Sequence, residues 1–209
     1  MADDFELVYF PVRGKAEHIR YIFAQAGIPY KNTAVQMDEW PKMKPTTPMG
    51  QIPVLKHKGH ELCQSLAIAR LIANKGGLAG ADNCEKARAD MLVEGVYDDL
   101  YNPYRPAYMS IMKMDDKAKE ENYRKFKEEK LGQFLDNYEK LLKENKTGYF
   151  VGKQVTWADL VVAEFLNRLK EVFDPAVLNK HPALKEHHDR IHELPNIKRY
   201  VASRPTYPF

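Results

Sequence analysis

The sequence predicts a small α/β domain followed by an all-α domain. Two observations support this prediction: strand and helix patterns alternate over the first 79 residues, and only helical periodicity remains beyond Gly80. A chain of 209 residues can bury a hydrophobic core, and two small domains suit this length as well as one large domain. We therefore predict one domain over 1–79 and a second over 84–209.

The α/β domain is predicted to have the element order β-α-β, loop, β-β-α. Residues 5–10 (FELVYF) form an aromatic strand, 15–26 a helix and 30–36 a second strand. The run IPVLKHKGHELC reads as two strands joined by a turn at Lys58-Gly59. Gln64-Ser65 then begins a helix that ends at Gly76-Gly77.

The second domain is predicted to contain helices alone. Thr156 and Asp159 have the spacing of a capping box, so we expect Asp159→Ala to damage folding rather than catalysis. Three histidines have no cysteine or carboxylate nearby that would complete a metal site, and a solvated helix face is favoured for them: His187, His188 and His192. The predicted helices cover 84–112, 116–145, 157–171, 183–192 and 196–202.

Composition and charge exclude several classes of partner. A net charge of +3 is too small to indicate a nucleic-acid partner or an acidic membrane. The N-terminus has no basic targeting region, and no run of eighteen apolar residues predicts a membrane span. Cys63 and Cys84 are too few for a disulfide scaffold, which favours a reducing, cytoplasmic compartment.

Four segments together resemble a known family. They are VYFPVRGKAEHIRYIFAQAG, DEWPKMKPTTPMGQIPVL, QSLAIARLIA and VGKQVTWADLVVAEFL. Their order and spacing resemble those of the cytosolic glutathione transferases of the sigma class, over essentially the whole chain. The resemblance implies a glutathione transferase architecture: a thioredoxin-like N-terminal domain, an all-α C-terminal domain, and a homodimer with one glutathione site per subunit.

The resemblance assigns catalysis to Tyr9. A thiol with a pKa of about 8.5 is only about 3% ionised at neutral pH, and the thiolate is the nucleophile. A hydroxyl that donates to the sulfur lowers this pKa, and a shift of roughly two units, worth about 2.7 kcal/mol, would leave most of the bound thiol ionised. Without the resemblance, Tyr9 would more simply be one of 12 tyrosines, filling an aromatic strand.

The loop after Tyr9 departs from the sigma-class pattern. Members usually carry two arginines around a glycine, whereas this chain reads Arg13-Gly14-Lys15. The resemblance implies that the second basic residue tunes the tyrosine and the thiolate, and lysine lacks the planar fork of arginine. We expect altered activity; the alternative is that Arg13 and Lys15 are solvated charges at a helix start.

Further glutathione contacts follow from the resemblance. The backbone of Gly50, Gln51 and Ile52, before a cis Pro53, is implied to pair with the cysteinyl part. Gln64 and Ser65 suit the glutamyl carboxylate, although Ser65 could serve only as an N-cap. Trp40 and Lys44 are implied to contact the glycyl end.

The helical domain supplies the remaining implied contacts. Asp98 is implied to reach across the dimer to the partner's glutathione, with a solvated helix face as the alternative. Tyr97 stands where sigma-class prostaglandin synthases have an acidic residue implicated in metal modulation, so no metal is predicted. Tyr101, Tyr104 and Tyr108 share one helical face, which could be core or could line a pocket. The implied pocket for a small hydrophobic electrophile comprises Phe10, Val12, Gly14, Tyr101, Arg105 and Tyr108.

Two classes of function remain open at this point. The favoured one is a transferase that conjugates glutathione to small hydrophobic electrophiles, with glutathione-dependent prostaglandin isomerisation as a further activity of sigma-class members. The alternative is a ligand carrier or a crystallin-like structural protein on the same fold, because a fold does not establish turnover. Retention of Tyr9, Gln64, Ser65 and Asp98 favours a working glutathione site.

Overall fold

The computed structural model describes residues 4–207 and confirms an α/β part together with a helical part. Contacts divide the chain into two compact units. The N-terminal unit runs to Ala79 and also includes the segment from His192 onward, and the helical unit runs from Gly80 to Ile191. The helices, in chain order, are α1 (Glu17–Ala26), α2 (Trp40–Met43), α3 (Ser65–Lys75), α4 (Asn83–Gly95), α5 (Asn102–Met112), α6 (Asp116–Phe126), α7 (Gly132–Asn145), α8 (Trp157–Val172), α9 (Pro182–Glu193) and α10 (Pro195–Ser203).

A four-stranded mixed sheet forms the centre of the N-terminal unit. The strands are β1 (Phe5–Tyr9), β2 (Lys31–Ala34), β3 (Val54–His57) and β4 (His60–Cys63), in the order β2-β1-β3-β4. β1 is parallel to β2 and antiparallel to β3, which is antiparallel to β4. Lys58 and Gly59 form the predicted turn, and their φ angles of 50° and 79° suit a two-residue hairpin.

The C-terminal segment lies with the N-terminal unit, whereas the predicted division assigned all residues from 84 onward to the helical domain. The reason is a set of hydrogen bonds between α10 and α1. The Tyr200 hydroxyl and the Arg204 guanidinium donate to the Glu17 carboxylate at 3.0 and 2.7 Å. The Asn196 amide donates to the carbonyl of Gln25 at 3.3 Å. Helical periodicity identifies α10 as a helix but carries no information about these partners.

α8 is the core helix of the helical unit, with every residue from Trp157 to Leu169 buried. The predicted capping box is confirmed at its start. The Asp159 carboxylate accepts the backbone N–H and the hydroxyl of Thr156 at 2.7 and 2.9 Å. It also accepts the N–H of Phe150 at 2.9 Å and lies 2.9 Å from Nε2 of His187. One carboxylate thus joins the start of α8 to α9 and to the preceding loop.

Two predicted long helices are interrupted by π-helical turns. The first turn, Val96–Tyr101, divides the segment predicted over 84–112. It comes shortly before Pro103, which has no N–H to donate, so a regular hydrogen-bond ladder cannot continue there. The second, Lys127–Leu131, divides the segment predicted over 116–145 and has no proline signal in the sequence.

The prediction of a solvated histidine face is wrong. His187 and His188 are 0% and 4% exposed, because α9 turns this face inward together with Leu184 and Ile191. His188 pairs with Asn167 and Asp189, and Nε2 of His192 lies 3.2 Å from the Tyr21 hydroxyl.

Among residues 4–207, no group of three or more His, Cys, Asp or Glu side chains could hold a metal ion. Over the same residues, no helix has the length and apolar character needed to cross a membrane.

Candidate active site

The sheet register places three predicted site residues, Tyr9, Pro53 and Gln64, side by side at one end of the strands. This end of the sheet is called the sheet edge below. Val8 pairs with Val54, which in turn pairs with Cys63. Tyr9 at the end of β1 therefore lies level with Pro53 before β3 and with Gln64 after β4. Loops that follow strand ends are where an α/β layer presents side chains to a ligand.

The Tyr9 hydroxyl is held by the loop that follows it. The backbone N–H of Lys15 donates to this hydroxyl at 2.9 Å. Gly14 has φ of +42°, and a Cβ atom there would lie 2.5 Å from the hydroxyl oxygen. Only glycine therefore allows the loop to approach the phenol so closely. A hydroxyl that accepts one hydrogen bond still has its own proton to donate.

The contact of Lys15 with the Tyr9 hydroxyl uses its backbone amide. The role that the resemblance implies for its charged side chain stays a prediction. Any residue other than proline supplies the same N–H. The lysine that stands where the family usually has arginine therefore leaves this contact unchanged. The sequence contains no signal that would have separated the two roles.

Phe10, Trp40 and Ile52 come together above the sheet. They pack against a buried cluster of Val8, Val35, Val54 and Cys63. The Phe10 and Trp40 rings meet edge to face, with centroids 5.6 Å apart. Trp40 begins the short helix α2, which lies in the segment predicted to be a loop. The peptide bond between Ile52 and Pro53 is cis, as the resemblance implied.

Lys44 and Gly50 are also neighbours. A Cβ atom at Gly50, whose φ is +63°, would lie 3.7 Å from Cε of Lys44. The Lys44 side chain is exposed, and so is Gln51, which follows Gly50. The aliphatic stem of Lys44 therefore lies along the loop that leads to Pro53, with its ammonium group accessible to an anion.

Gln64 has an unusual backbone conformation at the start of α3, with φ of 75° and ψ of 110°. A non-glycine residue with positive φ costs roughly 1–3 kcal/mol and persists mainly where a site requires it. Gln64 is the N-cap of α3, and Ser65 is the first helical residue. The alternative that Ser65 serves only as the N-cap is therefore wrong.

Met49, which is not among the predicted site residues, is a neighbour of Gln64. The Gln64 side-chain amide donates to the Met49 sulfur at 3.4 Å. Met49 is 61% exposed, and nothing in its sequence context distinguishes it from an ordinary surface methionine.

The predicted site residues of the helical unit differ in accessibility. Tyr101, Tyr104 and Tyr108 are 4%, 1% and 6% exposed, so the tyrosine stripe is part of the core of this unit. Arg105 is exposed. Asp98 is exposed as well, and its carboxylate accepts the Asn102 side-chain amide at 3.5 Å. In the N-terminal unit, Phe10 and Val12 are half-buried, and Gly14 is buried beside Tyr9.

Comparisons with known proteins agree with this architecture. Residues 5–74 match the glutathione S-transferase N-terminal domain, and residues 98–204 match the glutathione S-transferase C-terminal domain. Glutathione S-transferase 4 of Caenorhabditis elegans is 40% identical over 204 residues, which are 96% of this chain and 97% of that protein. Hematopoietic prostaglandin D synthase of Gallus gallus is 35% identical over 205 residues, 97% of each chain. A monomeric glutathione S-transferase from the hookworm Necator americanus superposes with a TM-score of 0.89 at 35% identity, covering 99% of this chain and 100% of that one.

A four-stranded mixed sheet accompanied by a helical unit is the architecture of the glutathione transferases. The chain belongs to the glutathione S-transferase family, which both domain matches and the 40% identical relative show. Its co-substrate is glutathione.

Proposed function

We propose that this transferase conjugates glutathione to small hydrophobic electrophiles and that Tyr9 ionises the thiol. The observation that carries this proposal is the Tyr9 hydroxyl, which accepts the Lys15 N–H at 2.9 Å at the sheet edge. An accepted hydrogen bond fixes the hydroxyl and polarises it as a donor. Donation to the sulfur favours the thiolate over the thiol.

Glutathione is placed along the same edge in this proposal. Its cysteinyl part pairs with the backbone of Gln51 and Ile52, next to the cis Pro53. Its glutamyl carboxylate meets Gln64 and the first turn of α3, which includes Ser65. The backbone N–H groups at a helix N-terminus and the positive end of the helix dipole favour an anion there. Its glycyl carboxylate meets the exposed ammonium of Lys44, with Trp40 alongside.

The electrophile is assigned first to the residues that follow Tyr9. Phe10 and Val12 offer apolar, half-buried side chains, and Gly14 lies against the Tyr9 hydroxyl. Arg105 is exposed and accessible to a ligand, whereas Tyr101 and Tyr108 are almost completely buried, which weakens the support for their assignment. The related prostaglandin D synthase makes prostaglandin isomerisation the second activity to assay.

A cytoplasmic homodimer of the sigma class is part of the same proposal. Asp98 is exposed in the helical unit, where its carboxylate could bind the glutamyl amine of a partner's glutathione. The hookworm relative is described as monomeric, so dimerisation needs its own test. Light scattering of the purified wild type and of Asp98→Asn measures the oligomeric state, and steady-state kinetics measure KM for glutathione. A dimeric wild type together with a raised KM in Asp98→Asn supports the assignment. A monomeric wild type overturns it.

The central test compares the wild type with Tyr9→Phe in conjugation of glutathione to an aryl halide. The ultraviolet absorbance of the bound thiolate is followed in parallel, because the substitution removes only one hydroxyl. We expect Tyr9→Phe to bind glutathione but to lose the thiolate absorbance and most of its rate. Tyr149→Phe, which removes a hydroxyl from the segment between α7 and α8 in the helical unit, is the matched control.

A wild type that binds glutathione without turnover across several electrophiles would favour the carrier or structural alternative. A Tyr9→Phe variant that keeps both its rate and its thiolate absorbance would overturn the role of Tyr9 while leaving the transferase activity intact.

A further inference from the structure

Buried charges link the C-terminal segment to the loop beside Tyr9. One oxygen of the Glu17 carboxylate accepts hydrogen bonds from Tyr200 at 3.0 Å and Arg204 at 2.7 Å. Its other oxygen accepts from Nη1 of Arg20 at 2.9 Å. The same Nη1 donates to the carbonyl of Val12 at 3.0 Å. A continuous chain of hydrogen bonds therefore runs from α10 through α1 to the loop after β1.

These groups remain charged despite their burial. The side chains of Glu17 and Arg20 are 0% and 2% exposed. Burial by itself would raise the pKa of Glu17, but the adjacent Arg20 and Arg204 outweigh it, and the pKa is lowered. Burial likewise opposes the charge on Arg20, yet Glu17 holds its pKa above the ordinary value.

Stability alone does not account for such a cluster, because a buried ion pair commonly stabilises a fold no better than well-packed apolar side chains. What Arg20 adds is a directed hydrogen bond to the backbone of a loop. The loop is also held at its next residue, since the Arg13 carbonyl accepts the N–H groups of Ala16 and Glu17 at 3.1 and 3.0 Å. The Arg20 bond fixes the carbonyl of Val12, the residue before Arg13.

The position of this loop determines the surroundings of the Tyr9 hydroxyl. Gly14 allows close approach to the phenol, and the Lys15 N–H donates to it at 2.9 Å. Val12, whose carbonyl Arg20 holds, lies two residues before Gly14. A displacement of the Val12 carbonyl would therefore move the amide that orients the hydroxyl, and catalytic geometry is sensitive to shifts of about 1 Å.

We propose that Arg20 is a positioning residue, which fixes the loop beside Tyr9 and thereby controls how fully the bound thiol is ionised. Glu17 orients Arg20, and the C-terminal residues Tyr200 and Arg204 orient Glu17. The segment after α9 thus contributes to thiol activation without contacting the thiol. This inference rests on the proposed role of Tyr9.

The test uses Arg20→Met, which retains an apolar stem and removes the bonds to Glu17, Val12 and Asn32. We expect kcat for conjugation to fall roughly tenfold, with a matching fall in the thiolate absorbance of bound glutathione. KM for glutathione should change by less than about threefold, because the glutathione contacts are left in place. Arg20→Lys, which keeps the charge but not the fork, should recover part of the thiolate absorbance.

Lys198→Gln is the matched control, because it removes an exposed ion pair from the same helix as Tyr200; the Lys198 ammonium lies 2.6 Å from Glu193. It should retain the wild-type kcat and thiolate absorbance. Tyr200→Phe removes one hydrogen bond to Glu17 and leaves the bonds from both arginines. It therefore serves as the test if Arg20→Met does not fold. A small loss of thiolate absorbance in Tyr200→Phe supports the inference.

The inference is overturned if folded Arg20→Met, or Tyr200→Phe in its place, shows the wild-type thiolate absorbance and kcat. Failure of the proposed function looks different. In that case the wild type itself shows no thiolate absorbance with glutathione bound, or Tyr9→Phe matches the wild type.

Discussion

Gly14 and Gln64 both have positive φ angles, of 42° and 75°, and both lie at the candidate site. Glycine adopts this conformation without strain, whereas glutamine does not. At Gly14 the missing side chain makes room for the Tyr9 hydroxyl. At Gln64 the strain places an exposed amide at the start of α3. A positive φ angle thus goes with the absence of a side chain at Gly14 and with the placement of a side chain at Gln64.

Gly14→Ala should reduce conjugation by roughly a hundredfold, because the added Cβ would lie 2.5 Å from the Tyr9 hydroxyl and force the loop away. The measurement is kcat together with the thiolate absorbance of bound glutathione. Gly27→Ala is the control: its φ is similar, at +65°, but a Cβ there meets nothing within 4 Å. It should lose about 1 kcal/mol of stability and keep its activity. Equal activity in the two variants would contradict the role of Gly14.

Gln64→Gly should weaken glutathione binding without lowering the free energy of unfolding. The substitution relieves the backbone strain, which offsets the greater entropy of glycine in the unfolded chain, but it removes the side-chain amide. Titration calorimetry measures the binding, and urea denaturation measures the stability. Lys58→Gly is the control, because Lys58 has φ of 50° and lies in the hairpin turn, at the end of the sheet opposite to Tyr9 and Gln64. It should relieve strain and leave the binding of glutathione unchanged. Unchanged binding in Gln64→Gly would remove Gln64 from the site.

At the scale of elements, α8 depends on a single carboxylate. Asp159 is 0% exposed and bonds the start of its own helix, the backbone of Phe150 and the ring of His187. Loss of this carboxylate would leave several buried polar groups without an acceptor. The capping box thus connects elements as well as ending a helix.

Asp159→Ala should lower the free energy of unfolding by roughly 3 kcal/mol, because it orphans buried donors in addition to removing a cap. Chemical denaturation measures this loss. Asp115→Ala, at the exposed N-cap of α6, where the side chain accepts the Ala118 N–H at 2.9 Å, should lose only about 1 kcal/mol. Conjugation per folded molecule should match the wild type in both variants. A selective loss of kcat in Asp159→Ala would show a catalytic role instead.

At the scale of the whole chain, the first helix and the C-terminal segment share buried charges. Glu17 receives hydrogen bonds from Arg20 on its own helix and from Arg204 at the end of α10. Further carboxyl groups elsewhere also have lowered pKa values: Glu6, Glu139, Asp174 and Asp189, the last at about 2. Each of these groups stabilises the fold in its ionised form.

Acid should therefore destabilise the wild type, with Glu17 contributing part of the effect. Its pKa in the folded protein is below the ordinary 4.5, so its contribution is fully present above pH 4.5 and is lost as the pH falls through the folded value. Glu17→Gln should cost about 3 kcal/mol at pH 7 and show a shallower decline below pH 4.5. Denaturation from pH 7 to 2 measures both curves. A constant separation between them would contradict this assignment.

The sequence determined the order of elements, because strand alternation, helical spacing, glycine stops and the Thr156–Asp159 spacing are local signals. Local signals also placed Tyr9 at a strand end and Gln64 at a helix start, whereas their roles at the candidate site were implied by the family resemblance. The family resemblance implied the cis Pro53, which periodicity alone could not indicate.

Which distant groups meet depends on the packing of the folded chain. The Lys15 amide at the Tyr9 hydroxyl, the burial of His187 and His188, and the attachment of α10 to α1 each depend on chain segments brought together in space. A local pattern indicates which face of an element is apolar, but it does not indicate which polar group of a neighbouring element lies within hydrogen-bond distance. Hydrogen-bond pairing and burial are fixed by packing, so the site's positioning network became visible only in the folded chain.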